Sequence, residues 1–245
     1  MLLKKYLLIG LTCFSMAATA DNIDYQVNGE TYEGFYVSPA NNAPLVLLIH
    51  DWDGLTDYEI KRANMLAEEG YAVFAADLFG KGIRPTEDKD KKQHTGELYQ
   101  DRQKMRQLLN GALNKAVELG ANRQQVVVIG YCFGGAAALE MARSGEALQG
   151  VVSFHGGLKT PSGQDYANSA TEILILHGAD DKAISMQEFA ELSNELEAFN
   201  VPNEMIAYGG ADHAFTVFGI DRYHAQADEK SWQRLLQFLN EKHSE

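Results

Sequence analysis

Val126-Val127-Val128-Ile129-Gly130-Tyr131-Cys132-Phe133-Gly134-Gly135-Ala136-Ala137-Ala138-Leu139 runs from a β-branched stretch, through glycines and a cysteine, into an alanine-rich stretch. The first part predicts a buried strand and the last part a helix. The Gly-x-Cys-x-Gly between them predicts a turn sharp enough to lift the Cys132 side chain above a sheet, with the first amides of the helix aimed at it. A thiol in that position gains thiolate character, which makes Cys132 the candidate nucleophile. The plainer alternative is a buried cysteine at an ordinary strand-to-helix turn.

Downstream, the chain supplies partners for such a nucleophile in the order acid, then histidine. The apolar strand Ile173-Leu174-Ile175-Leu176 opens into His177-Gly178-Ala179-Asp180-Asp181-Lys182-Ala183-Ile184, where the acid is expected. The next strand, Met205-Ile206-Ala207-Tyr208, opens into Gly209-Gly210-Ala211-Asp212-His213-Ala214-Phe215, which makes His213 the candidate base. Taken singly, the aspartates could be turn residues and the histidine a surface one. In this order they predict a nucleophile, base and orienting acid brought together by a sheet.

On these residues the sequence resembles the dienelactone hydrolase family, small α/β-hydrolases with a cysteine nucleophile. The resemblance also draws on His50-Asp51-Trp52-Asp53-Gly54-Leu55 and on Ala75-Ala76-Asp77-Leu78-Phe79-Gly80, and it covers most of the chain. Its Gly-x-x-Asp-x-x-Ile acid turn selects Asp181 over Asp180 and leaves Asp212 as a neighbour of the base. The resemblance implies a Cys132, His213, Asp181 triad that cleaves an ester or lactone of a small substrate through a thioester on Cys132. The backbone amides of Trp52 and Phe133 are the expected oxyanion donors. The resemblance further implies that Asp51 contacts the resting thiol; the alternative is that its carboxylate holds its own loop. His155 and Phe215 join Asp51 as candidates for thiol gating or substrate binding. The family binds a carboxylate through arginines, one of them four residues beyond the catalytic histidine, where this chain has Val217. Arg84 and Arg222 could serve a negative group instead, or could be surface arginines.

The remaining pattern predicts one domain. A chain of 245 residues that is 45% hydrophobic, with 22 glycines and 5 prolines, suffices for one large core and is short for two. Strands expected near 23–27, 31–37, 45–49, 71–75, 126–129, 148–154, 173–176 and 204–207 alternate with helical patterns. That alternation gives an α/β-hydrolase fold: a mostly parallel central sheet with helices on both faces and an N-terminal β-hairpin whose tip is Val27-Asn28-Gly29-Glu30. Thr56-Asp57-Tyr58-Glu59 has capping-box spacing at the head of a helix ending near Gly70. Met105, Leu108, Leu109, Ala112, Leu113, Ala116 and Val117 mark another helix, and Trp232, Leu235, Leu236 and Leu239 the last; both stripes read as core. Only short loops are expected around 81–92 and 158–170.

Residues 1–20 read as a secretory signal: Lys4 and Lys5, an apolar stretch from Tyr6 to Met16, then Ala18-Thr19-Ala20. Cleavage before Asp21 would leave a periplasmic domain without Cys13 and with Cys132 as its single cysteine, which cannot form an internal disulfide. The formal net charge, −13 for the whole chain, argues against nucleic acid and anionic membrane surfaces as partners. No cofactor or metal is expected, and the assembly is expected to be a monomer or small homo-oligomer. Two other readings compete: a metal site drawn from His50, Asp53, His155, His177 and His213, which lacks tight ligand spacing, and a catalytically idle hydrolase fold that only binds a ligand.

Overall fold

The computed structural model describes residues 19–243, so the expected signal, with Lys4, Lys5 and Cys13, lies outside the described residues apart from its last two positions. Two long strands, β1 (Thr19–Val27) and β2 (Glu30–Ser38), form the predicted hairpin. Asn28 and Gly29 both take positive φ, 53° and 84°, which is how a two-residue loop follows the right-handed twist of its strands. Six strands follow: β3 (Pro44–Ile49), β4 (Ala72–Ala76), β5 (Asn122–Tyr131), β6 (Gly150–Phe154), β7 (Glu172–Gly178) and β8 (Asn203–Tyr208). They align in the order β1-β2-β4-β3-β5-β6-β7-β8, antiparallel from β1 to β4 and parallel from there on.

Parallel neighbours need crossovers, and the helices α1 (Asp57–Glu68), α2 (Asp88–Gln100), α3 (Arg102–Glu118), α4 (Phe133–Ser144), α5 (Met186–Ala198) and α6 (Ala225–His243) accompany them. Strand alternation divides the core. Leu45, Leu47 and Ile49 face a cluster that includes Leu98 of α2, Leu109 of α3, Leu139 of α4 and Leu196 of α5. Val46 and Leu48 face Leu66 of α1 with Leu235 and Phe238 of α6. From Leu45 to Ile49 both faces of β3 are at zero exposure, which is why the strand is apolar without alternation. Each such leucine contributes about 2 kcal/mol of burial.

The capping box is present: Thr56 accepts from the helix while Glu59 reaches back to the Thr56 amide. α2 was not expected. Its sequence, DKDKKQHTGELYQ, buries only Thr95 and Leu98, so it carries no apolar stripe, and the loop expected over 81–92 gives way to helix at Asp88. Acidic residues Asp88 and Asp90 in its first turn and a Gln93–Glu97 pair favour the helix without leaving a hydrophobic pattern.

Candidate active site

Five loops at the carboxyl edge of the sheet converge beside α4. Cys132 lies between β5 and α4 with φ 50° and ψ −109°, off the regions an L-residue prefers. Two glycines make this turn possible by close approach. A Cβ on Gly130 would sit 2.0 Å from the Gly134 carbonyl oxygen, and one on Gly134 would sit 2.3 Å from that of Ile49. The predicted elbow is thus built by backbone packed on backbone.

Cys132 Sγ is 3.1 Å from His213 Nε2, and His213 Nδ1 donates to Asp181 Oδ2 at 2.8 Å. Asp181 Oδ1 accepts the amides of Ala183 and Ile184 at 2.7 and 2.9 Å, so the whole carboxylate is anchored. Burial raises the Asp181 pKa, but the His213 hydrogen bond and charge and these two amides outweigh it and hold the group below the usual carboxylate range. Burial lowers that of His213; the bonds to Asp181 and Cys132 overcome it and push it up to about 10. Asp180, the other candidate acid, is exposed and pairs with Lys182. Asp212 accepts the amides of Lys182 and His213, which ties the acid loop to the histidine loop.

Trp52 lies in the loop after β3 and Phe133 at the first position of α4, whose amide has no acceptor within the helix. The Trp52 loop hangs on Glu59, which is fully buried and accepts Asp51 N at 3.3 Å together with Thr56 N and Oγ1 at 2.8 Å each. Burial pushes Glu59 up to about 7. Sequence spacing marked this glutamate as a cap, and nothing local showed that the same side chain carries the site loop.

Asp51 is buried, and its Oδ1 accepts the Asp53 amide at 3.2 Å, while Cys132 Sγ meets His213. Its carboxyl is held well above the usual range, first by burial, then by the Asp53 carboxyl and the charge of Glu59, with Cys132 contributing. Two of the substrate-contact candidates are displaced. Phe215 has zero exposure and packs against His155 and Tyr208, because Ala214 at φ 61° turns the chain so that the next side chain enters the core. His155 is likewise buried, at 1% exposure, beneath the His213 ring.

Arg222 is exposed, and Arg84 is committed to the carbonyl groups of Ile83 and Glu33. The histidines of the metal alternative are engaged separately: His50 accepts Leu78 N at Nε2 and so donates from Nδ1 to the Asp51 carbonyl, while His177 Nε2 bonds the Ile184 carbonyl. Among the described residues, no three His, Cys, Asp or Glu side chains converge to hold a metal ion.

A cavity of about 450 Å³ opens beside α4, walled by Tyr99, Arg102, Ala136, Leu158, Lys159 and Ile184. It adjoins the Cys132, His213 and Asp181 cluster: Ala136 is one turn from Cys132, Ile184 bonds Asp181, and the Tyr99 ring meets Phe133 edge to face at 5.4 Å. Behind its wall a single buried carboxylate, Glu140, faces three guanidinium groups, those of Arg102, Arg106 and Arg143. The cationic wall was missed from sequence because its members come from α3, α4 and the loop after β6.

Comparison with known proteins agrees with this architecture. A sequence profile of the dienelactone hydrolase family matches residues 32–243. A protein of Escherichia coli (strain K12) assigned as a carboxymethylenebutenolidase is 26% identical over 230 residues, covering 87% of this chain and 83% of that protein. A Bradyrhizobium protein assigned as a 2-oxo-3-(5-oxofuran-2-ylidene)propanoate lactonase is 25% identical over 231 residues, covering 89% of this chain and 93% of that protein. The crystal structure of a dienelactone hydrolase-like promiscuous phosphotriesterase from metagenomic libraries superposes with a TM-score of 0.85 at 29% identity, covering 92% of this chain and 99% of that chain.

Proposed function

This chain belongs to the dienelactone hydrolase family and is a hydrolase of carboxylic esters or lactones, and from that premise we propose that it works through a Cys132, His213, Asp181 triad and a thioester intermediate. The observation that carries the reading is the unbroken contact from Cys132 Sγ through His213 to Asp181. An imidazolium held beside sulfur stabilises the thiolate. Sγ adds to the carbonyl carbon, and the resulting oxyanion is met by the amides of Phe133 and Trp52. Collapse expels the alkoxide, which takes its proton from His213, and leaves a thioester on Cys132. His213 then accepts a proton from water as that water attacks the thioester, and the acid product leaves with the thiolate restored.

The substrate is a small ester or lactone, a size that the adjoining cavity of about 450 Å³ supports. Arg102 and Lys159 on its wall favour a body carrying a carboxylate, in keeping with the propanoate in the name of the Bradyrhizobium relative. The test is hydrolysis of short acyl esters and lactones by reduced protein and by Cys132→Ala. Turnover by the parent, reduced at least about 10³-fold in the variant, is the expected result; equal turnover would end the cysteine reading, and ligand binding without turnover would favour an idle binding fold.

We also propose export to the periplasm, with cleavage before Asp21. The support is the charged, apolar and small-residue order of residues 1–20. N-terminal sequencing of the protein recovered from a periplasmic extract checks it, and a chain still beginning at Met1 would refute it.

A further inference from the structure

His155 follows β6 and carries an imidazole for which the triad has no use. Its ring meets that of His213 edge to face, centroids 5.4 Å apart and planes at 66°. Its Nε2 is 2.8 Å from Thr216 Oγ1, which is 2.7 Å from Tyr58 Oη. Arg62 Nε lies 3.3 Å from the same Tyr58 oxygen, and Arg62 Nη2 is fixed by the Thr216 carbonyl at 2.8 Å and by Asp228 at 2.5 Å. All of these side chains are buried or nearly so, and they tie α1 and α6 to the histidine loop.

The donors set a direction along this chain. A guanidinium can only donate, so Tyr58 Oη accepts from Arg62 and turns its own proton toward Thr216 Oγ1. The threonine hydroxyl, having accepted, gives its proton to His155 Nε2. An imidazole that accepts at Nε2 is neutral and carries its proton on Nδ1. In the opposite direction the Tyr58 proton would be left with only Tyr131 Oη, which lies outside hydrogen-bond geometry, and His155 Nδ1 is unpaired either way among the described residues. One orphaned group is less costly than two.

We propose that Arg62, Tyr58 and Thr216 form a one-way hydrogen-bond chain that locks His155 as the neutral Nδ1–H tautomer, and that this neutral ring is a positioning residue holding His213 between Asp181 and Cys132. The proposal rests on His213 being the triad base. During turnover His213 is a cation, and a second cation packed on its face would be opposed by repulsion in a buried setting. The groups that act on His155 agree with a neutral ring: His213, His177 and Arg62 all disfavour its charge, and Tyr131 and Phe215 pack on it as rings. Burial, followed by the His213 charge, holds His155 well below the usual histidine range.

Imidazole nitrogen NMR on protein labelled at histidine tests this, with His155→Asn to assign the signals. The wild type is expected to show His155 with a protonated Nδ1 and a bare Nε2, unchanged from about pH 5.5 to 8.5. Thr216→Val is expected to populate the other tautomer, to lower the His213 titration midpoint by about one unit, and to reduce kcat on a short acyl ester about tenfold with KM within about twofold. Thr216→Ser should restore all three, which a purely steric role would not require. Wild-type nitrogens showing Nε2–H, or Thr216→Val with His155 and His213 signals unmoved, would overturn the proposal. Absence of ester turnover by the reduced wild type would overturn the triad reading instead, while the nitrogen shifts would still decide the tautomer lock.

Discussion

Cys132 holds a backbone conformation that costs a residue with a side chain of order 1–3 kcal/mol, and the surrounding backbone enforces it. The glycine at position 134 is the sensitive point, since a methyl group there would meet the carbonyl oxygens of Ile49 and His50 at 2.3 and 2.6 Å. Gly134→Ala should therefore cost about 3 kcal/mol of stability, measured by urea unfolding, and remove activity in whatever fraction stays folded. Glu59 yields a prediction in pH. Its folded pKa of about 7 lies above the ordinary value of 4.5, so the native state binds the proton more tightly than the unfolded chain does. The cost of burying its charge is absent below pH 4.5, grows between 4.5 and 7, and is complete above 7. The stability of the wild type relative to Glu59→Gln should fall by about 1–3 kcal/mol from pH 4.5 to 8, as read by denaturant titration at each pH. A difference that stays flat would mean that Glu59 titrates normally.

The capping box at the head of α1 does two tasks, because the glutamate that closes it also holds the Asp51 amide. Thr56→Ala should cost about 1 kcal/mol of stability, and a drop in kcat beyond the fraction unfolded would show that the Trp52 loop has loosened. The start of α3, the end of α4 and the loop after β6 supply the cavity's cations. Lys159→Gln and Arg102→Gln are each expected to lower the ratio of kcat/KM for a mono-p-nitrophenyl glutarate to that for p-nitrophenyl butyrate by about tenfold. An unchanged ratio in both variants would remove the carboxylate from the substrate description. Most elements could be read from their residues, since Val126 to Leu139, the capping box and the stripe from Met105 to Ala116 each carry a local pattern. α2 could not, because a helix that buries only Thr95 and Leu98 has no periodic stripe, and its stability comes from charges and neighbours.

At the scale of the whole molecule, the order of the parallel strands brings Cys132, His155, Asp181 and His213 to one edge from loops spread over 82 positions of sequence. The formal net charge of the whole chain is −13, yet on the cavity wall three cations, Arg102, Arg143 and Lys159, outnumber the one carboxylate, Glu188. That contrast between local and net charge is invisible in composition. What the sequence determined by itself was the sheet class, the sharp turn at Cys132, and the succession of Cys132, Asp181 and His213 at three strand ends, because each is written in contiguous residues whose propensities and spacings act locally. Only the tertiary structure decided that Phe215 and His155 turn inward, that Glu59 supports the Trp52 loop, and that Thr216 links Tyr58 to His155. The Thr216 link joins residues 61 and 158 positions apart and the Glu59 contact residues only 8 apart, but burial and hydrogen-bond satisfaction, which fix all of these outcomes, exist only once the layers have packed.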